Sequence, residues 1–434
     1  MSSVLNFLYY DYFKGVPCVT TDTRSIEPGS VFFALRGGNF DGNSFALQAL
    51  RDGCAYAVVD DAGVAAQDER LLLVPDALAA LQDLAALHRR ELGLPVLQIT
   101  GTNGKTTTKE LCSAVLAERF NVLYTQGNLN NHIGVPRTLL RLRPEHEIAV
   151  IETGANHPGE IRALSRIVQA DCGLITNVGK AHLEGFGSFE GVVRTKGELY
   201  DDLRSRPGTF IFLHAEDETL CGIARDLPAV TYGAPGHDAD VEGEVLACDP
   251  FLSFRWRRRG GEWHEVRTQL IGSYNLPNAL AACAVGLHFG VDEAAVCRAL
   301  AAYRPTNSRS ELRETGRNRL IVDAYNANPT SMAAALSNFR LIPDAHKMLI
   351  LGSMKELGDA SAAEHRRLVE LAGSVGAEQV WLVGEEYLPY VGTHRYFPDV
   401  EAVVAELRER PLQGYTILLK GSNSTRLHLL PPQL

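Results

Sequence analysis

LPVLQITGTNGKTTTKEL, residues 94–111, decides how this chain is read. An apolar run turns abruptly into glycine, threonine and lysine, and a helical pattern follows. In a strand–loop–helix of this kind, successive backbone N–H groups and the helix N-terminus face one point, which suits phosphate oxygens. Gly101, Thr102, Asn103, Gly104, Lys105, Thr106 and Thr107 are therefore expected to cradle a nucleoside triphosphate. Lys105 would pair with the β- and γ-phosphates, and the Thr106 hydroxyl would reach Mg²⁺. The strict G-x-x-x-x-G-K-[ST] spacing fails, because residue 99 is Ile. A plain glycine turn before a helix is the alternative.

Outward from this loop the same rhythm recurs. EIAVIET (147–153), CGLITNV (172–178) and TFIFLHA (209–215) read as strands separated by helical patterns, which predicts a parallel sheet covered on both faces. A more polar, antiparallel stretch is expected near 240–268. Upstream, residues 1 to about 80 are mixed α/β, and a helix over 76–92 stops at Gly93 and Pro95, a natural boundary. Downstream of Arg304 and Pro305, the segments NRLIVDAY, HKMLILGSM, AEQVWLVG and YTILLKGS repeat the α/β pattern. The expected units are 1–92, 93–303 and 304–434, in keeping with 434 residues at ~150 per domain. The first few residues carry no basic flank or cleavage pattern, and no apolar run nears the ~20 residues that span a bilayer. Eight scattered cysteines without a C-x-x-C pair suit a reducing cytoplasm. A net charge of −10 argues against a nucleic-acid or anionic-lipid surface.

Open α/β sheets bind ligands beyond the carboxyl ends of their strands, so polar residues there are the functional candidates. Glu152 ends one strand and His182 follows another; a carboxylate and a threonine hydroxyl suit Mg²⁺, while a histidine is a less usual ligand. Taken alone, Glu152 could as easily be a helix cap, and His182 reads more readily as a satisfied loop histidine than as a ligand. Lys196 reads from composition as a surface lysine, although a buried lysine can lose its charge and gain reactivity. The run TQGNLNNHIGVP (125–136) is either turn-forming or a set of amides for a polar ligand. Asp323 follows a strand and is placed to hold ribose hydroxyls, with Arg309 and Lys420 as possible positive charges across a cleft. Gly185, Gly187 and Gly191 miss dinucleotide-binding spacing by one residue.

Taken together, these segments resemble the Mur ligase family over nearly the whole chain. TDTRSIEPGSVFFALRGGNFDG, TGTNGKTTTKE, NLNNHIGVP, IETGANHPGEI, NVGKAHLEGFGS, TKGELY, GSYNLPNALAA, DAYNANP, SMKELG and LLKGSNSTRL carry the likeness in this order. TGTNGKTT marks the wider family; NLNNHIGVP, GANHPGEI and YNANP together point to the member that adds a dipeptide. The resemblance implies an α/β fold of three domains, with a central parallel-sheet P-loop ATPase-like domain and a Rossmann-like C-terminal domain. It also implies an ATP-dependent amide-bond-forming ligase of peptidoglycan precursor synthesis. The substrates would be UDP-N-acetylmuramoyl-tripeptide and D-alanyl-D-alanine, used by a cytoplasmic monomer.

Residue by residue, the resemblance makes Lys105, Lys196 and His182 catalytic. Thr106, Glu152, His182 and Lys196 would be ligands of two Mg²⁺ ions, with Lys196 carbamylated. Asn275 and Asn278 would lie beside adenine, Arg309 on phosphate and Asp323 on ribose. Thr23 and Arg24 would bind the uridine diphosphate, Asn130 and Asn131 the nucleotide-sugar peptide, and Asn326 and Asn328 the incoming dipeptide. The chain departs from the family pattern at Thr153 (usually Met), Tyr274 (usually His) and Ser353 (usually Asp). An acid usual near His428 is also absent. These departures touch the adenine and dipeptide contacts and leave the phosphate and metal groups intact.

Overall fold

The computed structural model describes residues 3–305 and 310–434. Arg309, expected on phosphate, lies outside the described residues. Three principal sheets organise the chain, with helices between their strands. The first, formed by Val19–Thr20, Val31–Phe33, Tyr56–Val59 and Leu71–Leu73 in that order, is parallel throughout. Helix Ala77–Leu92 follows. Asp76 caps it by accepting from the Ala79 N–H, and Gly93 ends it at φ 62°, a left-handed conformation that glycine adopts without steric cost. Its buried Leu81, Leu84 and Leu87 join a core that also contains Val31 and Phe33 of the first sheet and Val96, Ala149 and Ile151 of the second. The helix expected to mark a boundary is thus packed on both sides. His88 and Arg89 fix it further, through the Leu142 carbonyl and Asp171.

The second sheet has nine strands. Val96–Thr100 is the third strand from one edge, between Cys172–Ile175 and Ile148–Glu152, with Val122–Tyr124 on the outer edge. These strands are parallel, and all five residues of Val96–Thr100 are buried, as a strand covered on both faces requires. On the other side come Phe210–His214 and Ala229–Gly233. The expected antiparallel stretch follows as Val241–Cys248, Phe251–Arg258 and His264–Ile271. The strand expected over 172–178 stops at Ile175, because Thr176 and Asn177 turn aside to bond the glycine loop.

The third sheet runs Glu311–Glu314, Arg319–Asp323, Thr416–Lys420, Lys347–Gly352, Gln379–Val383 and Arg395–Phe397, parallel except for its first pair. The four apolar segments expected from sequence form its centre. Of the two outer strands, Glu311–Glu314 is polar and Arg395–Phe397 has only three residues, so neither carried a hydrophobic signal. No helix of the described residues is long and apolar enough to cross a membrane.

Candidate active site

The loop after Val96–Thr100 is packed closely against its neighbours. Gly101 sits at φ 140°, and a Cβ there would fall 2.0 Å from Thr176 Oγ1; at Gly104 (φ 78°) it would fall 2.7 Å from Asn278 Oδ1. Both positions therefore exclude side chains. Neighbouring strand ends hold the loop: Thr102 N donates to the Asn177 carbonyl, Asn103 N to Asn177 Oδ1, and Gly179 N to Thr102 Oγ1. Lys105 opens helix Lys105–Leu116 and turns back over the loop, donating to the carbonyls of Gly101 (2.7 Å) and Thr102 (2.9 Å). Thr106 follows it, with Oγ1 donating to Glu152 Oε1 at 3.2 Å.

Glu152 is 1% exposed. Its Oε1 also accepts from Asn130 Nδ2 at 2.8 Å, whereas Oε2 is buried without a hydrogen-bond partner. A buried carboxylate oxygen left bare is costly in the absence of a ligand. Among the described residues no three His, Cys, Asp or Glu side chains form a ready metal cage. Mg²⁺ does not need one, since it binds through one or two carboxylates, hydroxyls, water and substrate phosphates. A threonine hydroxyl beside an orphaned carboxylate oxygen, next to a phosphate loop, fits that ion.

A cavity of about 970 Å³ opens over this wall. The second sheet contributes Lys105, Thr106, Glu152 and His182 to it, and the third contributes Asp323, Tyr325, Asn326 and Lys420. Asp323 and Lys420 end adjacent strands in register, and Lys420 Nζ donates to Asp323 Oδ2 at 2.5 Å. Asn275 and Asn278 line the cavity and bond each other; Asn278 Oδ1 also accepts from Thr108 Oγ1. Asn131 lines it too, its side chain accepting from the N–H groups of Ile133 and Gly134. Asn328 is the N-cap of helix Pro329–Arg340, and its amide exchanges two hydrogen bonds with that of Asn103. The phosphate loop is therefore tied directly to a helix of the third unit. Asn326 borders both this cavity and a smaller one of about 240 Å³, whose walls include Asn328, Lys355 and Ser422.

His182 occupies a left-handed conformation (φ 51°), uncommon for a non-glycine residue, and its Nδ1 faces the Glu356 carboxylate of the third unit. Burial holds its pKa below the ordinary value, with Glu356 opposing that shift. Lys196 lies within helix Phe189–Arg204 and is 2% exposed, contrary to a composition-based reading as a surface lysine. Its Nζ sits 3.5 Å from the Ala155 carbonyl and 5.4 Å from the centre of the Phe186 ring. Desolvation, aided by the Lys105 charge, lowers its pKa to about 7. Thr23 and Arg24 lie elsewhere. Arg24 is exposed and pairs with Asp22 at 2.7 Å, and neither residue lines the large cavity.

Sequence reading missed several wall residues. His214 ends strand Phe210–His214, so the strand-end rule alone could have found it; Glu216 comes two residues later. Gln82 projects from helix Ala77–Leu92, where nothing in the sequence marks it. At the departures, Thr153 Oγ1 accepts from Gln98 Nε2 at 3.0 Å, and the Tyr274 hydroxyl lies 2.9 Å from Ser310 Oγ. Both hydroxyls are thus held by hydrogen bonds to side chains distant in sequence.

A phosphate loop, an adjoining buried carboxylate and a cavity closed by a second α/β sheet define a nucleotide-dependent enzyme of the P-loop kind. The chain belongs to the Mur ligase family. It matches the family's catalytic domain over residues 16–89, its middle domain over 99–286 and its glutamate ligase domain over 308–423. It is 35% identical over 422 residues to the UDP-N-acetylmuramoyl-tripeptide–D-alanyl-D-alanine ligase of Bacillus subtilis, covering 94% of this chain and 91% of that one. Identity to the ligase of the same name from Escherichia coli is 35%, with the same coverage. Among solved structures, MurF from Acinetobacter baumannii superposes with a TM-score of 0.86 at 32% identity, covering 96% of this chain and 92% of that one. MurF ligase from Thermotoga maritima in complex with ADP also gives 0.86, at 25% identity, covering 100% and 98%.

Proposed function

We propose that this enzyme joins D-alanyl-D-alanine to the terminal carboxylate of UDP-N-acetylmuramoyl-tripeptide, with ATP consumed, in peptidoglycan precursor synthesis. The observation that carries the reading is the Thr106–Glu152 pair beside the phosphate loop, at the floor of a cavity reaching Asp323 and Lys420 of the third sheet. Near-full-length similarity to ligases of that name supports it. The three units take separate tasks in this reading. Residues 1–92 hold the uridine diphosphate through Thr23 and Arg24, 93–303 hold ATP, and 304–434 close over it and admit the dipeptide. The enzyme acts as a cytoplasmic monomer.

A free carboxylate is a poor electrophile, so the tripeptide carboxylate first attacks the γ-phosphorus of ATP, giving an acyl phosphate and ADP. Lys105 gives up its two loop carbonyls to donate to phosphate oxygens, spreading the charge of the transferring group. Mg²⁺, when bound by Thr106 and Glu152, and at a second position by His182 and Lys196, supplies further charge neutralisation. Asp323 holds the ribose, aimed by its hydrogen bond from Lys420, and Asn275 and Asn278 sit beside the adenine. Asn130 and Asn131 face the peptide. The dipeptide amine, placed near Asn326 and Asn328 at the smaller cavity, attacks the acyl carbon, and phosphate leaves through a tetrahedral intermediate. Closure of the third unit excludes the water that would otherwise hydrolyse the acyl phosphate.

Lys196 would act as a carbamate. Its neutral amine adds CO₂ and loses a proton, which replaces an ammonium by a carboxylate-like group suited to Mg²⁺. Its burial and its pKa near 7 support this, since only the neutral amine reacts. The decisive experiment is phosphate release with ATP, UDP-N-acetylmuramoyl-tripeptide and D-alanyl-D-alanine, leaving out each in turn, combined with acyl-phosphate trapping. Release is expected only in the full mixture. Preference for a single amino acid over the dipeptide would reassign the substrate to a sibling ligase.

A further inference from the structure

We propose that Lys109 and Thr125 are positioning residues for the magnesium site, holding Glu152 by continuing the sheet's hydrogen bonding one step beyond its edge strand. The proposal rests on the reading of Glu152 as a Mg²⁺ ligand. Strand Val122–Tyr124 pairs with Ile148–Glu152 in the register Val122–Ile148, Leu123–Ala149 and Tyr124–Val150, and then ends. The backbone of Glu152 lies past that end. Thr125 takes over there: its N–H donates to the Val150 carbonyl at 3.1 Å, and its Oγ1 accepts from the Glu152 N–H at 2.9 Å.

Thr125 is in turn fixed through its carbonyl, which accepts from Lys109 Nζ at 2.8 Å. Lys109 stands three residues beyond Thr106 on helix Lys105–Leu116. One helix thus supplies both the hydroxyl that bonds Glu152 Oε1 and the amine that secures the backbone behind it. Lys109 and Thr125 are 1% and 0% exposed. The other neighbours of Lys109 Nζ are the Tyr124 ring at 5.5 Å and Glu110 Oε1 at 3.4 Å. Burying an amine there is expensive, and an apolar side chain of similar length would fill the same space. What the amine adds is a directed hydrogen bond to Thr125. Because Glu152 lines the cavity and its Oε2 has no protein partner, the carboxylate's direction depends on its backbone anchor and on Oε1. Partners that orient a metal ligand typically change metal affinity 10- to 100-fold when removed.

The test compares Thr125→Val, Thr125→Ser, Lys109→Met and Lys109→Arg with the unaltered enzyme. Two readouts are used: the Mg²⁺ dependence of phosphate release, and calorimetric ADP binding with and without Mg²⁺. Thr125→Val is expected to raise the half-maximal Mg²⁺ concentration about 10- to 100-fold. Mg²⁺-free ADP binding should stay unchanged, and Thr125→Ser should restore the normal response. Lys109→Met should shift the same readout in the same direction, with Lys109→Arg milder; if Lys109→Met does not fold, the Thr125 pair decides. An ordinary Mg²⁺ response in Thr125→Val, or an equal loss of Mg²⁺-free ADP binding, would overturn the proposal. Glu152→Gln separates the two layers. If it leaves the Mg²⁺ response unaltered, the metal reading fails; if it shifts that response while Thr125→Val does not, only the positioning claim fails.

Discussion

At the phosphate loop Thr106, Thr108 and Asn278 are buried, and polar side chains are already bonded to one another: Thr106 to Glu152, Asn103 to Asn328, Asn278 to Thr108. Along residues 21–25 the reverse holds. Arg24 extends into solvent with its side chain 88% exposed, paired only with its near neighbour Asp22. The first region is organised before its ligand arrives, so losing one group there should damage the chemistry. On the proposed reading the second gains its order from the UDP-linked substrate, so losing a group should weaken binding and leave the reaction step alone.

The sharpest way to break this contrast is Lys105→Ala. Removing a group that stabilises the transferring phosphoryl charge should lower kcat by about 10²- to 10³-fold in steady-state assays. A change confined to KM would show that the loop is not preorganised for the transition state. Lys196→Ala should come next, costing on the order of a hundredfold in activity. The unaltered enzyme should also respond to bicarbonate, more strongly as pH rises through about 7, because deprotonation exposes the reactive amine. Intact-protein mass spectrometry should find one added CO₂, absent from Lys196→Ala. On the other side of the comparison, Arg24→Ala should raise KM for the UDP-linked substrate about tenfold, with kcat little changed, since a hydrogen bond to a charged group is worth ~1.5–3 kcal/mol. A fall in kcat would make the two regions alike.

The smallest effect concerns the helix joining the first two sheets. Burial lowers the pKa of His88, which lies against Tyr9 and the Leu142 carbonyl. The unfolded chain therefore binds a proton more readily than the folded one. Stability should fall as pH drops below the ordinary histidine value of ~6.5. His88→Gln should flatten that acid-side decline by about a degree or two in Tm, measured by thermal melts between pH 7.5 and 5.5.

Much of this was legible in the chain itself. Long apolar strands ending in glycine or a polar residue revealed the second and third sheets, because a strand buried on both faces must be apolar throughout. Glu152, Asp323 and His182 were found by their positions after such strands. Short polar edge strands such as Glu311–Glu314 gave no such signal, because only half their surface meets a core. His214 and Gln82 escaped because their role depends on which strands and helices become neighbours.

The sequence by itself determined the strand–loop–helix at residues 94–111, the glycines that permit its left-handed turns and the residue types able to hold Mg²⁺. These are local properties, set by backbone freedom, periodicity and side-chain chemistry. Only the tertiary structure decided that Lys196 is buried with a depressed pKa, that Asn328 grips the phosphate loop through Asn103, and that Lys109 reaches Glu152 by way of Thr125. Each of those depends on the dielectric and geometry created when segments tens to hundreds of residues apart are packed together, and no local pattern encodes that.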